Sequence, residues 1–417
     1  MRIRTAVALF LFAASFVVAL KAAKAESPTA EALGADYFEI FGEVELETTL
    51  FADSPQFAGQ DRDDFSAAIE PTMLVEWLDG DLVFRFTPFA RFSAQDSRRT
   101  HADIRELKLD GDFGDWSFTV GADTVFWGKT EVVHLVDIIN QTDQVEAIDD
   151  EARLGQPMIR LGYLTDYGEL SAFYMPYFRE RTFPGESGRL RINPTVDQES
   201  PVYDSDAEAE EFTPSFAVRF AGSLGDLDFG VSGFHGLGRD PAFLPSATGL
   251  QPFYEIINQA GLDVQYTYDA TLFKFEGIFR EGQRNLQFRE ENFVAATGGF
   301  EHTLFGIAET NADLGIIAEY AWDSRGNDSL STFQDDFIGG VRLALNDEAD
   351  SSMLLTGSVD TNDGSMTARL EAETRIGENW RILAEGQGFF NAGSGTNRSP
   401  LADDSFLRIK LKYFFGG

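Results

Sequence analysis

The sequence predicts an all-β chain, a transmembrane antiparallel up-and-down β-barrel of about 18 strands (16–20). Three observations predict it. Apolar residues recur at every second position in run after run, which is the period of a strand and not of a helix. The links between runs alternate between tight turns and long segments. The one long apolar run sits at the N-terminus, with the features of an export signal.

That run opens the chain. Met1–Ala25 carries Arg2 and Arg4, an apolar stretch from Ala6 to Leu20, and Ala23-Lys24-Ala25 ahead of Glu26. A positive start, a short apolar centre and an A-x-A site describe a secretory signal peptide cut after Ala25. Residues 26–36 read as a short periplasmic lead-in, too brief for a plug domain, and 37–417 as the barrel. No second apolar run of that length follows, so helices are not expected to carry the chain through a membrane. With no cysteine, no disulfide framework is available to an exported chain. Removing Arg2, Arg4, Lys21 and Lys24 from the 33 basic residues leaves 29 against 69 acidic, a formal charge of −40. This excludes nucleic acid as a partner, since phosphate binding needs a basic footprint. Disorder is excluded too, because 43% of residues are hydrophobic and 39 are phenylalanine.

The strands follow in order. Phe38, Ile40, Val44, Leu46 and Leu50 share one parity, and Glu39, Glu43, Glu45 and Glu47 the other. Phe65, Ala67, Ile69, Met73, Val75 and Trp77 form the next apolar face. Leu82, Phe84, Phe86, Ala90 and Phe92 follow, with Arg85 and Arg91 opposite. The same pattern marks Asp103–Asp110, Trp116–Ala122, Met158–Thr165, Leu170–Phe178, Phe212–Ser223, Leu227–His235, Ala260–Tyr268 and Thr271–Arg280. It continues through Phe293–Leu304, Leu314–Trp322, Phe337–Leu345, Met353–Val359, Met366–Ile376, Trp380–Phe390 and Phe406–Phe415. Pro71, Pro88, Pro176 and Pro214 fall inside these runs, where each removes a ladder donor, so bulges or strand ends are expected there.

Turn chemistry at Asp79-Gly80-Asp81, Asp112–Asp115, Asp166–Gly168, Gly225-Asp226, Asp269-Ala270, Asn346–Asp350 and Gly377–Asn379 marks one rim. Longer links at Phe51–Asp64, Ser93–Ala102, Asp123–Pro157, Arg179–Glu211, Gly236–Gln259, Gln283–Asn292, Asp323–Asp336 and Asn391–Asp403 mark the other. Asp360–Ser365 is short where a long link is due. Turns on the periplasmic side and loops outside are the outer-membrane arrangement. Trp77, Trp116 and Trp380 then fall at periplasmic strand ends and Trp127 and Trp322 near outer ends, the interfacial positions indole prefers.

A charge facing lipid at mid-depth would cost about 2–4 kcal/mol for each Arg or Lys. The ionic parity is therefore assigned to the lumen: Arg85, Arg91, Arg160, Arg219, Lys274, Arg280, Arg342 and Arg369 among the cations, Glu70, Glu76, Glu276, Glu371 and Glu385 among the acids. The surplus acid is expected in solvated outer loops, at Asp143–Glu151 and Asp197–Glu211. Closure pairs the first strand with the last, setting Glu39, Glu43, Glu45 and Glu47 beside Arg408, Lys410 and Lys412 as an acid–base seam, with the aromatic Phe415 near the end. The last strand, with alternate apolar residues and a terminal aromatic, resembles the assembly signal of Gram-negative outer-membrane β-barrels. It departs from that pattern only in the trailing Gly416-Gly417. The resemblance implies barrel-assembly machinery, membrane lipid and lipopolysaccharide as partners, and is compatible with a homotrimer.

The link from Asp123 to Pro157 is too apolar for a free loop: Val132, Val133, Leu135, Val136, Ile138 and Ile139 need burial. A short helix over Asp143–Leu154 is expected, and the whole link is expected to fold inward. Glu131, His134, Asp137, Asn140, Asp143 and Arg153 would then meet the wall arginines, as a constriction loop does in the porins the chain resembles. Trp127-Gly128-Lys129-Thr130 and Asp137-Ile138-Ile139-Asn140 are also similar to a segment of a little-characterised family of proteobacterial barrels, which implies location more than substrate.

Enzyme readings find no footing. The four histidines, His101, His134, His235 and His302, form no nucleophile arrangement with Ser232 or Thr303. No zinc motif is present. Asp149-Asp150 reads as solvated loop, Asp360–Gly364 as a hairpin turn, and Gly298-Gly299 and Gly339-Gly340 as positions of close strand packing. The sequence thus points to a passive channel for small-molecule solutes, without cofactor or metal. A receptor or assembly barrel is the second reading, and uptake of apolar solutes through a lateral opening the third.

Overall fold

The computed structural model describes residues 30–416, and the expected signal peptide lies outside them. Eighteen antiparallel strands close into one barrel. In chain order the first seven are β1 (Tyr37–Phe51), β2 (Asp63–Trp77), β3 (Leu82–Ser93), β4 (His101–Phe113), β5 (Trp116–Asp123), β6 (Gln156–Thr165) and β7 (Gly168–Met175). A two-residue strand, β8 (Val202–Tyr203), lies outside the barrel, and β9 (Ser215–Leu224) and β10 (Leu227–Leu237) return to it. After β11 (Ala242–Pro245) and β12 (Leu250–Tyr254) come β13 (Ile256–Tyr268), β14 (Thr271–Arg284), β15 (Glu290–Leu304), β16 (Asp313–Asp323) and β17 (Asp335–Ala344). The last are β18 (Ser352–Asp360), β19 (Met366–Ile376), β20 (Trp380–Phe390) and β21 (Phe406–Phe415). Each barrel strand pairs with its barrel neighbour in sequence, and β1 pairs with β21 to close the ring. Among the described residues no helix is long and apolar enough to cross a membrane.

The barrel is inside out relative to a soluble protein. Along β16, Ile316, Tyr320 and Trp322 are exposed while Glu319 and Asp323 are buried. Along β14, Phe273, Phe275 and Phe279 are exposed, and Glu276 and Arg280 are buried. Each aromatic left in water would forgo about 2 kcal/mol of burial, and contiguous apolar patches of this extent do not face water on soluble monomers. The outer face is therefore a lipid-facing belt, and along β14 and β16 these charged residues lie on the inward parity.

The ladder explains the prolines. Pro176 directly follows β7 and Pro214 directly precedes β9, which shortens both relative to the sequence pattern. Pro88 sits at a register shift between β3 and β4, and Pro71 where β2–β3 pairing lapses between Ile69↔Ala90 and Met73↔Phe86. The long outer links build something the alternation could not announce. β8, β11 and β12 form a separate small sheet, with Phe178, Ala207, Leu237 and Tyr254 as its core. Two outer links, 285–289 and 361–365, are short, whereas the inner links 305–312 and 345–351 are longer than tight turns.

At the closure, Glu45 lies opposite Lys412 and Glu47 opposite Lys410, with Phe415 opposite Gly42. Lys412 reaches Glu43 at 2.7 Å and Glu45 at 3.6 Å, and Arg408 reaches Glu47 at 3.6 Å. Two members behave differently from expectation. Lys410 turns to Glu385 on β20, and Glu39 lies beyond the β1–β21 ladder, opposite Leu74 of β2, because β1 starts nearer the short-turn rim than β21 ends.

Candidate functional site: the loop inside the barrel

β5 is short. Its last residue, Asp123, accepts hydrogen bonds from Lys108 Nζ at 2.7 Å and from the Thr124 amide at 2.8 Å, and the chain then turns into the lumen. Residues 124–155 hold themselves together through the motif side chains. Asn140 Oδ1 accepts from the Val125 amide at 2.8 Å, while its Nδ2 donates to the Asp123 and Leu154 carbonyls at 2.8 and 2.9 Å. Asp137 accepts from the Trp127 amide at 3.3 Å and pairs with Arg153 at 2.7 Å. Asn140 and Asp137 thus satisfy backbone donors that a buried, non-helical segment would otherwise leave unpaired.

The apolar centre of the loop packs on one side of the lumen wall. Val136, Ile138 and Ile139 are fully buried against inward-facing apolar residues of β6, β7, β9, β10 and β13–β15, among them Phe173, Phe234 and Phe293. Val133 continues this contact onto Ala321 of β16 and Ile338 of β17. Apolar residues on the lumen face of the wall are thereby covered by the loop.

Charges fix it at both ends. Glu276 on β14 accepts from the Lys129 amide at 2.6 Å, the Thr130 amide at 3.1 Å, Thr130 Oγ1 at 2.8 Å and the Val136 amide at 3.3 Å. Gly128 permits this approach, since a Cβ there would sit 2.9 Å from His134 Nδ1 and 3.3 Å from Glu276 Oε1. Glu131 pairs with Arg342 at 2.7 Å and Lys274 at 3.4 Å, and its amide donates to Glu319. Further along, Asp143 meets Arg105 at 2.7 Å, Glu146 meets Arg91 at 2.7 Å, and Asp149 meets Arg369 on β19. The loop therefore touches the wall on opposite arcs. Between its second half and the β1–β4 and β21 wall lies a cavity of about 250 Å³, lined by Glu43, Glu45, Arg91, Arg105, Arg153 and Lys412 among others.

Several expectations are corrected here. Residues 143–154 form no helix; bridges at Thr142↔Arg153 and Asp143↔Thr182 make them a closed, irregular loop. A helix would stack Asp143, Glu146 and Asp149 on one face, whereas their arginine partners stand on β4, β3 and β19. The acids of Asp143–Glu151 are accordingly not all solvated: Asp143 is fully buried, and Asp149 is an ion-pair member. Asp149, Glu151 and Glu371 bring carboxylate oxygens within 4.8 Å of one another, and Arg369 bonds to all three. Trp127 is buried in the lumen against Phe173, with the Arg219 guanidinium 5.0 Å above its ring, and so takes no interfacial place. Trp77, Trp116, Trp322 and Trp380 do lie at or next to strand ends. Of the expected wall arginines, Arg91, Arg219, Arg342 and Arg369 meet the loop. Arg85 instead pairs with Glu106 at 3.8 Å and Arg160 with Glu169 at 2.5 Å, each inside the wall. His134 contacts Phe126 and approaches Glu276 at 3.9 Å. Arg105, Glu146 and Glu319 escaped the sequence reading, although the inward parity of β16 marks Glu319.

Buried charge in the loop shifts its acids in opposite directions. Burial pushes Asp137 up to about 6, although Arg153 pulls the other way. Burial also opposes ionisation of Asp143, but His101, Arg105 and Thr182 outweigh it and hold that carboxyl at about 2.

No protein-family model and no curated protein sequence matches the chain. Solved structures do. OccK3 (OpdO) of Pseudomonas aeruginosa matches with a TM-score of 0.53 at 12% identity, over 92% of this chain and 96% of that one. Wzi of Escherichia coli, described as an outer-membrane, carbohydrate-binding β-barrel involved in group 1 capsule assembly, matches at 0.50 and 11% identity, over 92% and 85%. The chain shares the closed, antiparallel β-barrel fold of these proteins. Variants of the Rhodopseudomonas blastica porin also align, over 91% of this chain and 100% of theirs, at lower TM-scores of 0.44 and 0.43 and 11% identity. At such identities the likeness is one of fold. The lipid-facing belt and the polar interior place this barrel in a membrane independently.

Proposed function

We propose that the barrel is a passive, porin-like channel for small solutes, narrowed by residues 124–155 and lined by paired charges of both signs. The observation that carries this is the course of the loop. It leaves the wall at β5, is anchored by Glu276, Arg342 and Arg369 on other arcs, and leaves a charged cavity beside itself. Channels select by bore and by charges lining it, without chemistry at a reacting centre, and mixed ion pairs favour polar solutes over ions of one sign. Outer-leaflet lipid and lipopolysaccharide, the barrel-assembly machinery and, in a trimer, further copies of the chain are its expected partners. Deleting Val132–Asn140 removes both the apolar anchor and Asp137, so single-channel conductance in planar bilayers is expected to rise severalfold. Unchanged conductance would overturn the constriction.

A receptor or assembly barrel is the second reading, favoured by the small sheet of β8, β11 and β12, which gives the outer rim a surface with its own core. Electrically silent bilayers would favour it.

A further inference from the structure

Three irregularities of the ladder fall in one patch of wall. β5 ends at Asp123 and its last pair with β4 is Leu107↔Ala122, so β4 from His101 to Glu106 has no partner on that side. On the other side of β4, the register slips at Thr87/Pro88 and leaves Arg105 unopposed. One strand further, β2 and β3 are unpaired between Ile69↔Ala90 and Met73↔Phe86, where Pro71 and Pro88 lie. Proline has no amide hydrogen to restore those rungs.

The patch is hollow on both faces. Toward the membrane lies a cavity of about 700 Å³ lined by Ile69, Pro71, Pro88, Ala90, Ile104 and Leu107. Small side chains make room for it: Ala90 faces Ala102 across the β3–β4 pair. Toward the lumen lies the charged cavity of about 250 Å³ described above. Ile69 and Phe89 line both cavities, so these two side chains partition membrane from lumen. Phe89 is held under the Arg105 guanidinium, 4.4 Å from its ring. The unpaired edge of β4 is stopped by the returning arm of the loop, where Gly155 lies so close that a Cβ would collide with the Ile104 and Arg105 carbonyls. Arg179 closes the rim, pairing with Asp103 at 2.8 Å and donating to the Gly155 carbonyl at 3.1 Å.

We propose that this notch binds the hydrocarbon chain of a free long-chain fatty acid from the membrane and is a lateral entrance to the lumen. The notch is continuous with the lipid-facing belt, since Ile104 and Leu107 belong to both. Its volume lies within the roughly 300–1,000 Å³ of small-molecule sites. Its polar edge, the Asp103–Arg179 pair, is suited to a headgroup at the rim. A two-chain phospholipid is held in the bilayer by its second chain and is not expected to settle here. Only a single-chain amphiphile can pass whole between Ile69 and Phe89. The inference needs the barrel and the notch; it does not depend on aqueous conductance.

The test is photolabelling of the full chain in phospholipid vesicles with a diazirine-bearing palmitate, and in a parallel arm with a diazirine-bearing phosphatidylcholine. Peptide mapping reads the sites. Saturable palmitate labelling concentrated on β2–β4 and displaced by unlabelled palmitate is expected, with the phospholipid spread evenly around the belt. Ala102→Trp fills the notch from the lipid face and is expected to cut labelling about tenfold. Ala90→Leu serves the same purpose should that variant not give a heat-modifiable barrel. Phe89→Ala thins the partition and is expected to extend labelling to Glu70 and Arg91 in the lumen. Even, non-saturable labelling, equal labelling of the notch by phospholipid, or indifference to both filling variants would overturn the site. Labelling of Phe89→Ala confined to the lipid face would overturn the entrance.

Discussion

Glu276→Ala tests how the loop is held. Its carboxylate is fully buried and accepts from three amides and one hydroxyl of residues 129–136. Removing it strands the Lys129, Thr130 and Val136 amides, at about 1–3 kcal/mol per unsatisfied donor. Water in the lumen reaches the vacated site and brings each cost to the low end, so about 3 kcal/mol is lost. That is roughly a hundredfold shift in the docking equilibrium. Glu276→Gln keeps an acceptor but not the charge, and charge-assisted bonds are about twice as strong as neutral ones, so about half the loss is expected. The chain has no cysteine, which makes a single-cysteine assay clean. Val136→Cys places the thiol at a fully buried position. A water-soluble maleimide is expected to label it slowly in the native background, roughly a hundredfold faster with Glu276→Ala, and at an intermediate rate with Glu276→Gln. Equal labelling rates in all three folded barrels would refute the clamp.

Two further predictions follow from the charges. Asp137, raised to about 6, and His134, raised because the Glu276 contact outweighs burial, are both protonated more readily in the docked loop than in a free chain. Their contribution to docking is complete at pH values below the ordinary aspartate pKa of about 4 and fades as pH rises through about 6 and above. Conductance is expected to increase between pH 5 and pH 8 and to be nearly flat in Asp137→Asn/His134→Gln; a native profile without slope would count against it. At the closure, Glu45 is buried between Arg91 at 2.8 Å and Lys412 at 3.6 Å. Glu43→Lys/Glu45→Lys leaves those cations facing new ones, at a cost of at least about 3 kcal/mol. A clear drop in the temperature of the gel-mobility shift is expected, and an unchanged melting temperature would refute the seam.

The wall was legible because its signals are local. Side-chain alternation, turn residues and strand length act within a dozen positions, so Ile316, Glu319 and Tyr320 disclose their faces without knowledge of any partner. The seam was legible for a related reason: a barrel must join its first strand to its last, which sets Glu45 opposite Lys412. The sequence also marked the link from Asp123 to Pro157 as a segment needing burial, since six aliphatic residues between Val132 and Ile139 have nowhere to go in solvent.

Only the tertiary structure decided what those residues are buried against. The pairings of Glu131 with Arg342, Asp149 with Arg369 and the Thr130 amide with Glu276 join positions far apart in the chain. No local preference encodes such distances. Trp127 went to the lumen because Phe173 and Arg219 offered it more contact than a rim. The expected helix gave way because arginines on three separate strands drew its acids apart. A strand's own period tells which face meets water. Which distant charge completes a buried one depends on closing the ring, and that is a property of the whole fold.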